Sequence, residues 1–134
     1  MARNFPGNKI KERGIKRFFL SFKYATEGIM YALVEEQNLI IMILGGVIAL
    51  ALSLILKITR VEFIIVLILI GIVIAFELIN TSIEAVIDLI IEERNKYAKI
   101  AKDCAGGAVL VIDFIALMIG LIIFIPYIIG LFGG

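Results

Sequence analysis

The stretch Phe63–Asp88 reads FIIVLILIGIVIAFELINTSIEAVID. It begins as an unbroken apolar run and ends with Glu77, Asn80, Glu84 and Asp88. An apolar run of this kind predicts a membrane helix, which needs ~20 residues to cross the hydrocarbon. The four polar residues are spaced 3, 4 and 4. On a helix they fall within roughly 80° of one another, on one face. An ionisable side chain at the bilayer centre costs ~2.5–3.5 kcal/mol on insertion scales, so such residues usually have a function or a buried partner.

Two further runs flank this one. Leu39–Leu56 precedes it and Ala105–Phe132 follows it. The chain has 134 residues and is 62% hydrophobic. A soluble domain has roughly 45–50%. The expected fold is therefore an all-α membrane protein with three transmembrane helices, spanning about 36–56, 61–90 and 104–131. One domain covers 1–134, with no room for a separate soluble catalytic domain, no internal repeat and no convincing secretory signal.

Charge placement predicts the orientation. Of the thirteen basic residues, seven precede the first span and four lie between the second and third. Only Lys57 and Arg60 lie in the first loop, and none follows the third span. The positive-inside rule then puts the N-terminus and second loop in the cytosol and the C-terminus outside. A net charge of +1 argues against nucleic acid as a partner. The lone Cys104 has no partner for an internal disulfide, and a chain without histidine offers no Cys/His zinc site.

The N-terminal segment, about 10–34, reads differently. Ile15, Phe18, Phe19, Phe22 and Ile29 recur at roughly helical spacing, with Lys11, Lys16 and Lys23 between them. This pattern predicts an amphipathic helix in the membrane surface. A simple anchor and a direct role in a site are compatible readings.

The depth of the polar stripe follows from helix geometry. A helix entering at Val61 crosses ~30 Å of core in ~20 residues. Asn80 then lies near the cytosolic boundary, Glu77 just inside it, and Glu84 and Asp88 just beyond. Glu35 and Glu36 precede the first span at that end, and Lys102 and Asp103 precede the third. Polar residues of three helices thus converge on one membrane–water interface. Such a site suits chemistry between a lipid and a water-soluble reactant. Carboxylates from two helices can hold Mg²⁺, a lysine can neutralise phosphate, and a further carboxylate can act as general base on a hydroxyl. Phosphoryl transfer asks mainly for positioning and charge neutralisation. No P-loop or protein-kinase signature is present. From the residues alone, a lipid kinase stands beside a small proton-coupled transporter and a polar seam that joins helices in an oligomer.

ELINTSIEAVID (Glu77–Asp88) resembles the signature of the prokaryotic diacylglycerol kinase family, which includes diacylglycerol kinases and undecaprenol kinases. AKDCAGGAVL (Ala101–Leu110) resembles a second block of that family, and RFFLSFKYATEGIMYALVEEQN (Arg17–Asn38) its surface helix and first span. The resemblance implies a homotrimeric helical bundle in a bacterial inner membrane. It implies MgATP as phosphate donor, a lipid alcohol as acceptor, and active sites shared between neighbouring subunits. By this resemblance Glu77 is the catalytic base and Asn80 orients it. Glu36 and Glu84 hold Mg²⁺ with ATP, and Asp88, Lys102 and Asp103 surround the nucleotide. Arg17 and Tyr24 reach ATP from the surface helix. The family's acidic–aromatic–histidine trio in the second loop is here Glu93, Arg94 and Asn95; Glu93 fits and the other two depart. Glu93 and Asn95 are carried as nucleotide contacts. The wording of the blocks, with IGLIIFIPY in the third span, leans towards undecaprenol over diacylglycerol.

Several residues have plainer readings. Glu35 competes with Glu36 as the metal ligand, and register with the family favours Glu36. The triplet Asn80–Thr81–Ser82 matches a glycosylation pattern but sits on a membrane helix. Gly106 and Gly107 either let helices pack closely or admit a ligand. Lys57, Arg60 and Glu62 read as ordinary interfacial charges. Asp113 lies about a third of the way into the third span, outside the family blocks; it either hydrogen-bonds across an oligomer or carries a proton.

Overall fold

Leu56–Thr59 is all that separates the first two apolar helices, so they must lie antiparallel. The structure, a computed structural model, describes residues 15–91 and 95–132. Four helices follow in order: α1 (Ile15–Glu35), α2 (Gln37–Ile55), α3 (Arg60–Ile90) and α4 (Lys96–Phe132). There is no strand among the described residues. The helices α2, α3 and α4 are long and apolar enough to cross a membrane. The expected all-α architecture of three spans after a preceding helix is what the structure shows.

The chain forms two units, Met1–Tyr31 and Ala32–Gly134. Most of α1 belongs to the first. Its Phe18 and Phe22 rings stack edge-on with centroids 4.9 Å apart, and Ile15, Phe18, Phe19 and Phe22 are all exposed. Exposed aromatics interleaved with lysines suit a helix lying in a membrane surface. Residues 10–14 of the expected surface helix lie outside the described residues.

In the second unit α3 packs against α4 and, less extensively, α2. Gly46 sits where α2 meets α3, and a Cβ there would come within 3.0 Å of Ile70 Cγ2. Gly106 and Gly107 face open space, so within this chain they do not serve close packing. Helix α3 opens with a capping box: Thr59 Oγ1 accepts from Glu62 N while Glu62 Oε2 accepts from Thr59 N at 2.8 Å. Its 31 residues give ~46 Å at 1.5 Å per residue, well beyond the ~30 Å of hydrocarbon. Tilt aside, the excess falls at the polar end, where Glu77 to Asp88 lie.

Two contacts fix the register of α3 on α4. Lys102 Nζ meets Asp88 Oδ1 at 2.6 Å near one end, and Tyr127 Oη donates to Glu62 Oε2 at 2.7 Å near the other. The helices run antiparallel between these ties. Eleven residues back from Asp88 is Glu77, and eleven forward from Lys102 is Asp113. Asp113 is therefore level with Glu77.

Candidate active site

Glu77 is the centre of the site. It projects from α3 and is only 1% exposed. Its Oε1 is enclosed and has no hydrogen-bond partner. Its backbone carbonyl accepts from Thr81 Oγ1 at 3.0 Å, which turns that hydroxyl inward. Glu36, Asp113 and Glu84 are all near enough for their charges to act on it. Three acids thus bear on Glu77, from the start of α2, from α4 at its own level, and from two turns further along α3.

Each arrives there for a local reason. Glu36 is the extended residue between α1 and α2, with φ −111° and ψ 105°, and is half-buried. Glu35 beside it ends α1 and is exposed. Asn80 is one helical turn beyond Glu77, and its Nδ2 donates to Glu84 Oε1 at 3.2 Å. That bond leaves Asn80 Oδ1 enclosed and unpartnered. Asp88 and Lys102 form the ion pair described above, with the lysine side chain 33% exposed and the aspartate 65%. This pair lies towards the membrane edge and brings a cation to the same stripe.

The other expected site residues are arranged more loosely. Asp103 pairs with Lys99 at 3.8 Å across one turn, both well exposed. Such pairs contribute little to stability. Asn95 has a structural role. Its Oδ1 accepts from the backbone N–H of Tyr97 at 2.8 Å and of Ala98 at 3.4 Å. Lys99 N donates to its carbonyl at 3.1 Å, so Asn95 caps α4. Only its amide nitrogen is left over for a ligand. Glu93 lies outside the described residues. Arg17 and Tyr24 are exposed on α1, in the first unit.

Among the described residues no three cysteine, aspartate or glutamate side chains could close around a metal ion. Mg²⁺ does not require such a cage. It keeps several waters and is usually bound by one or two carboxylates plus substrate phosphates. Glu36 and Glu84 are each a carboxylate of that kind, one at the head of α2 and one on α3. The unpartnered oxygens of Glu77 and Asn80 leave further acceptors free.

Likeness to known proteins covers Glu77 and the acids around it. The prokaryotic diacylglycerol kinase family model matches residues 23–124. The chain belongs to the prokaryotic diacylglycerol kinase family. It is 38% identical over 112 residues to an undecaprenol kinase of Bacillus subtilis, covering 84% of this chain and 91% of that protein. It is also 33% identical over 113 residues to a diacylglycerol kinase of Synechocystis sp., covering 84% of this chain and 65% of that one. Membership of a kinase family sets aside the transporter and the chemically inert oligomer seam.

Two polar side chains beyond the expected site residues bear on Glu77; Asp113 stands out in the sequence and Thr81 does not. Thr81 is buried behind Glu77, and only its place in the polar stripe hinted at that. Asp113 is the fourth acid. Its Oδ1 is enclosed and makes no hydrogen bond. A buried polar group without a partner costs free energy that an apolar side chain of similar size does not. Asp113→Leu should therefore unfold at a higher temperature than the native chain in the same detergent, by about 1–3 kcal/mol in stability. A lower melting temperature would show that the carboxyl has a partner after all.

Proposed function

We propose that this chain is an ATP-dependent membrane lipid kinase acting on undecaprenol, with diacylglycerol as the alternative acceptor. The observation that carries the reading is Glu77: a carboxylate within a membrane helix, 1% exposed, with one oxygen unpartnered and other acids near enough to act on it. In this reading the lipid hydroxyl donates to the free oxygen of Glu77. As the hydroxyl oxygen bonds to the γ-phosphorus, its proton passes to Glu77 and the bond from that phosphorus to the bridging oxygen breaks. ADP leaves with the electron pair. Asn80 holds Glu84 by its amide and leaves its own carbonyl oxygen towards the reactants. Glu36 and Glu84 would hold Mg²⁺, which supplies charge neutralisation at the phosphates when bound. Lys102, Asp88, Asp103 and the free amide of Asn95 serve the nucleotide in this reading, and the family resemblance adds Glu93, Arg17 and Tyr24 as contacts.

The undecaprenol reading is supported by the likeness to the Bacillus kinase, which spans nearly all of that protein. The likeness to the Synechocystis protein supports diacylglycerol. Purified protein with MgATP and both lipids in one vesicle preparation separates them. Undecaprenyl phosphate should form in excess over phosphatidic acid at equal lipid mole fraction. A product that is mainly phosphatidic acid would reverse the assignment, and no lipid phosphate at all would end the kinase reading.

We further propose a homotrimer with shared sites, the N-terminus and second loop cytosolic. The family resemblance supports that assembly, and closed point-group symmetry is the usual form of a homo-oligomer. If Arg17 reaches the nucleotide of a neighbouring chain, inactive Glu77→Gln and inactive Arg17→Ala subunits should regain activity when co-assembled, because some sites draw both intact residues. Crosslinking fixes the subunit number alongside. A fully active monomer in mild detergent would sink the shared-site proposal.

A further inference from the structure

The opposite end of α2 and α3 from the carboxylates carries Lys57 and Arg60, the only two basic residues of the sequence between Lys23 and Arg94. Helix α2 stops there with Leu56 N donating to Leu52 O at 2.9 Å and Ile58 N to Ser53 O at 3.3 Å. Lys57 lies between, with φ at 51°. Helices that end with this bonding pattern usually place glycine at that left-handed position, where a Cβ is unfavourable. A lysine there gains the favourable end of the α2 dipole, but it does not relieve the backbone strain. Arg60 is the first residue of α3, at the positive end of the helix dipole, where an acid is preferred and a cation is not.

The nearby acid does not offset them. Glu62 Oε2 accepts from Thr59 N at 2.8 Å, Thr59 Oγ1 at 2.6 Å and Tyr127 Oη at 2.7 Å. This carboxylate is committed to the turn and to α4. Among the described residues neither Lys57 nor Arg60 forms an ion pair. Both line an open cleft of about 490 Å³ whose other walls include Leu54, Ile58, Phe63 and Ile64. Snorkelling alone accounts for cations near a membrane surface. It does not account for a strained lysine and a dipole-opposed arginine lining one apolar cleft.

We propose that this cleft binds an anionic phospholipid from the leaflet at that end, its phosphate held by Lys57 and Arg60 and one acyl chain lying against the apolar walls. Arginine suits phosphate through paired N–H donors, and lysine adds a point charge. The apolar walls select a lipid over a soluble anion, and the two cations select an anionic headgroup over a zwitterionic one. The site is separate from the carboxylate cluster and does not depend on the kinase reading.

The test uses the full chain in phosphatidylcholine bilayers with and without phosphatidylglycerol, followed by thermal unfolding. Phosphatidylglycerol should raise the melting temperature of the native chain. Lys57→Gly and Arg60→Gln should each lose most of that rise, with lipid affinity about fivefold weaker per cation removed. In phosphatidylcholine alone Lys57→Gly should be at least as stable as the native chain, since glycine takes this φ without strain. That sign separates lost lipid binding from damage to the turn, and Arg60→Gln tests the site independently of the turn. An equal phosphatidylglycerol effect in native and variant chains would overturn the proposal. So would an equal effect from soluble glycerol phosphate, or a rise that follows self-association instead of anionic lipid.

Discussion

Replacing Glu77 with glutamine should lower kcat for lipid phosphorylation by about 10²–10⁴-fold, the range spanned by general acid–base catalysis, while leaving nucleotide binding nearly intact. The amide keeps the volume of the side chain and removes the oxygen that can take a proton. Glu77 is almost wholly enclosed, so shape matters there. Its backbone bond to Thr81 is untouched by the change. The measurement pairs steady-state turnover with binding of a fluorescent ATP analogue, both in the same detergent. Weakened nucleotide binding with normal kcat would move Glu77 out of the base's role and into the nucleotide site. Near-normal values of both would remove it from the chemistry altogether.

This expectation could be framed from the sequence because the signal behind it is periodic. Glu77, Asn80, Glu84 and Asp88 share a helix face by spacing alone, and an apolar run before them fixes their depth. The three spans were legible for the same reason, since hydrophobic runs of this length have few other fates. What was not legible depends on how helices meet. Asp113 stands level with Glu77 only because Asp88 pairs with Lys102 and Glu62 with Tyr127, and neither pairing is written in a local pattern. Asn95 has a second role, since its oxygen caps α4. An asparagine just before a helical run is itself a capping signal. Lys57 and Glu62 read as ordinary charges because a positive φ and a three-bond carboxylate are properties of a turn's geometry.

The acid cluster leads to a second large effect, with opposite signs in two conditions. Glu36 and Glu84 both act on Glu77 through their charge, but Glu84 also has the attraction of Lys102 and the bond from Asn80 Nδ2. Within the bare chain Glu36 therefore adds repulsion that nothing offsets among the described residues. Glu36→Gln should relieve that repulsion and raise the melting temperature when magnesium is chelated, and Glu84→Gln should raise it less or not at all. With MgATP present the order should reverse, because the native chain gains stability from binding what the variants hold poorly. The magnesium concentration for half-maximal nucleotide binding should rise at least about tenfold in each variant, on the scale by which even outer-shell changes weaken metal sites. Glu84→Gln carries one further consequence: Asn80 Nδ2 loses its charged acceptor, so some loss of kcat should accompany the weaker metal dependence. Glu36→Gln has no such neighbour and should act on binding alone. Glu35→Gln is the internal control, since that side chain is exposed and its charge does not bear on Glu77. If Glu35→Gln shifts the magnesium dependence and Glu36→Gln does not, the metal ligand at the head of α2 has been misassigned by one residue. If neither Glu36 nor Glu84 alters it, the carboxylates are not where magnesium binds, and their charge near Glu77 serves the lipid's side of the reaction.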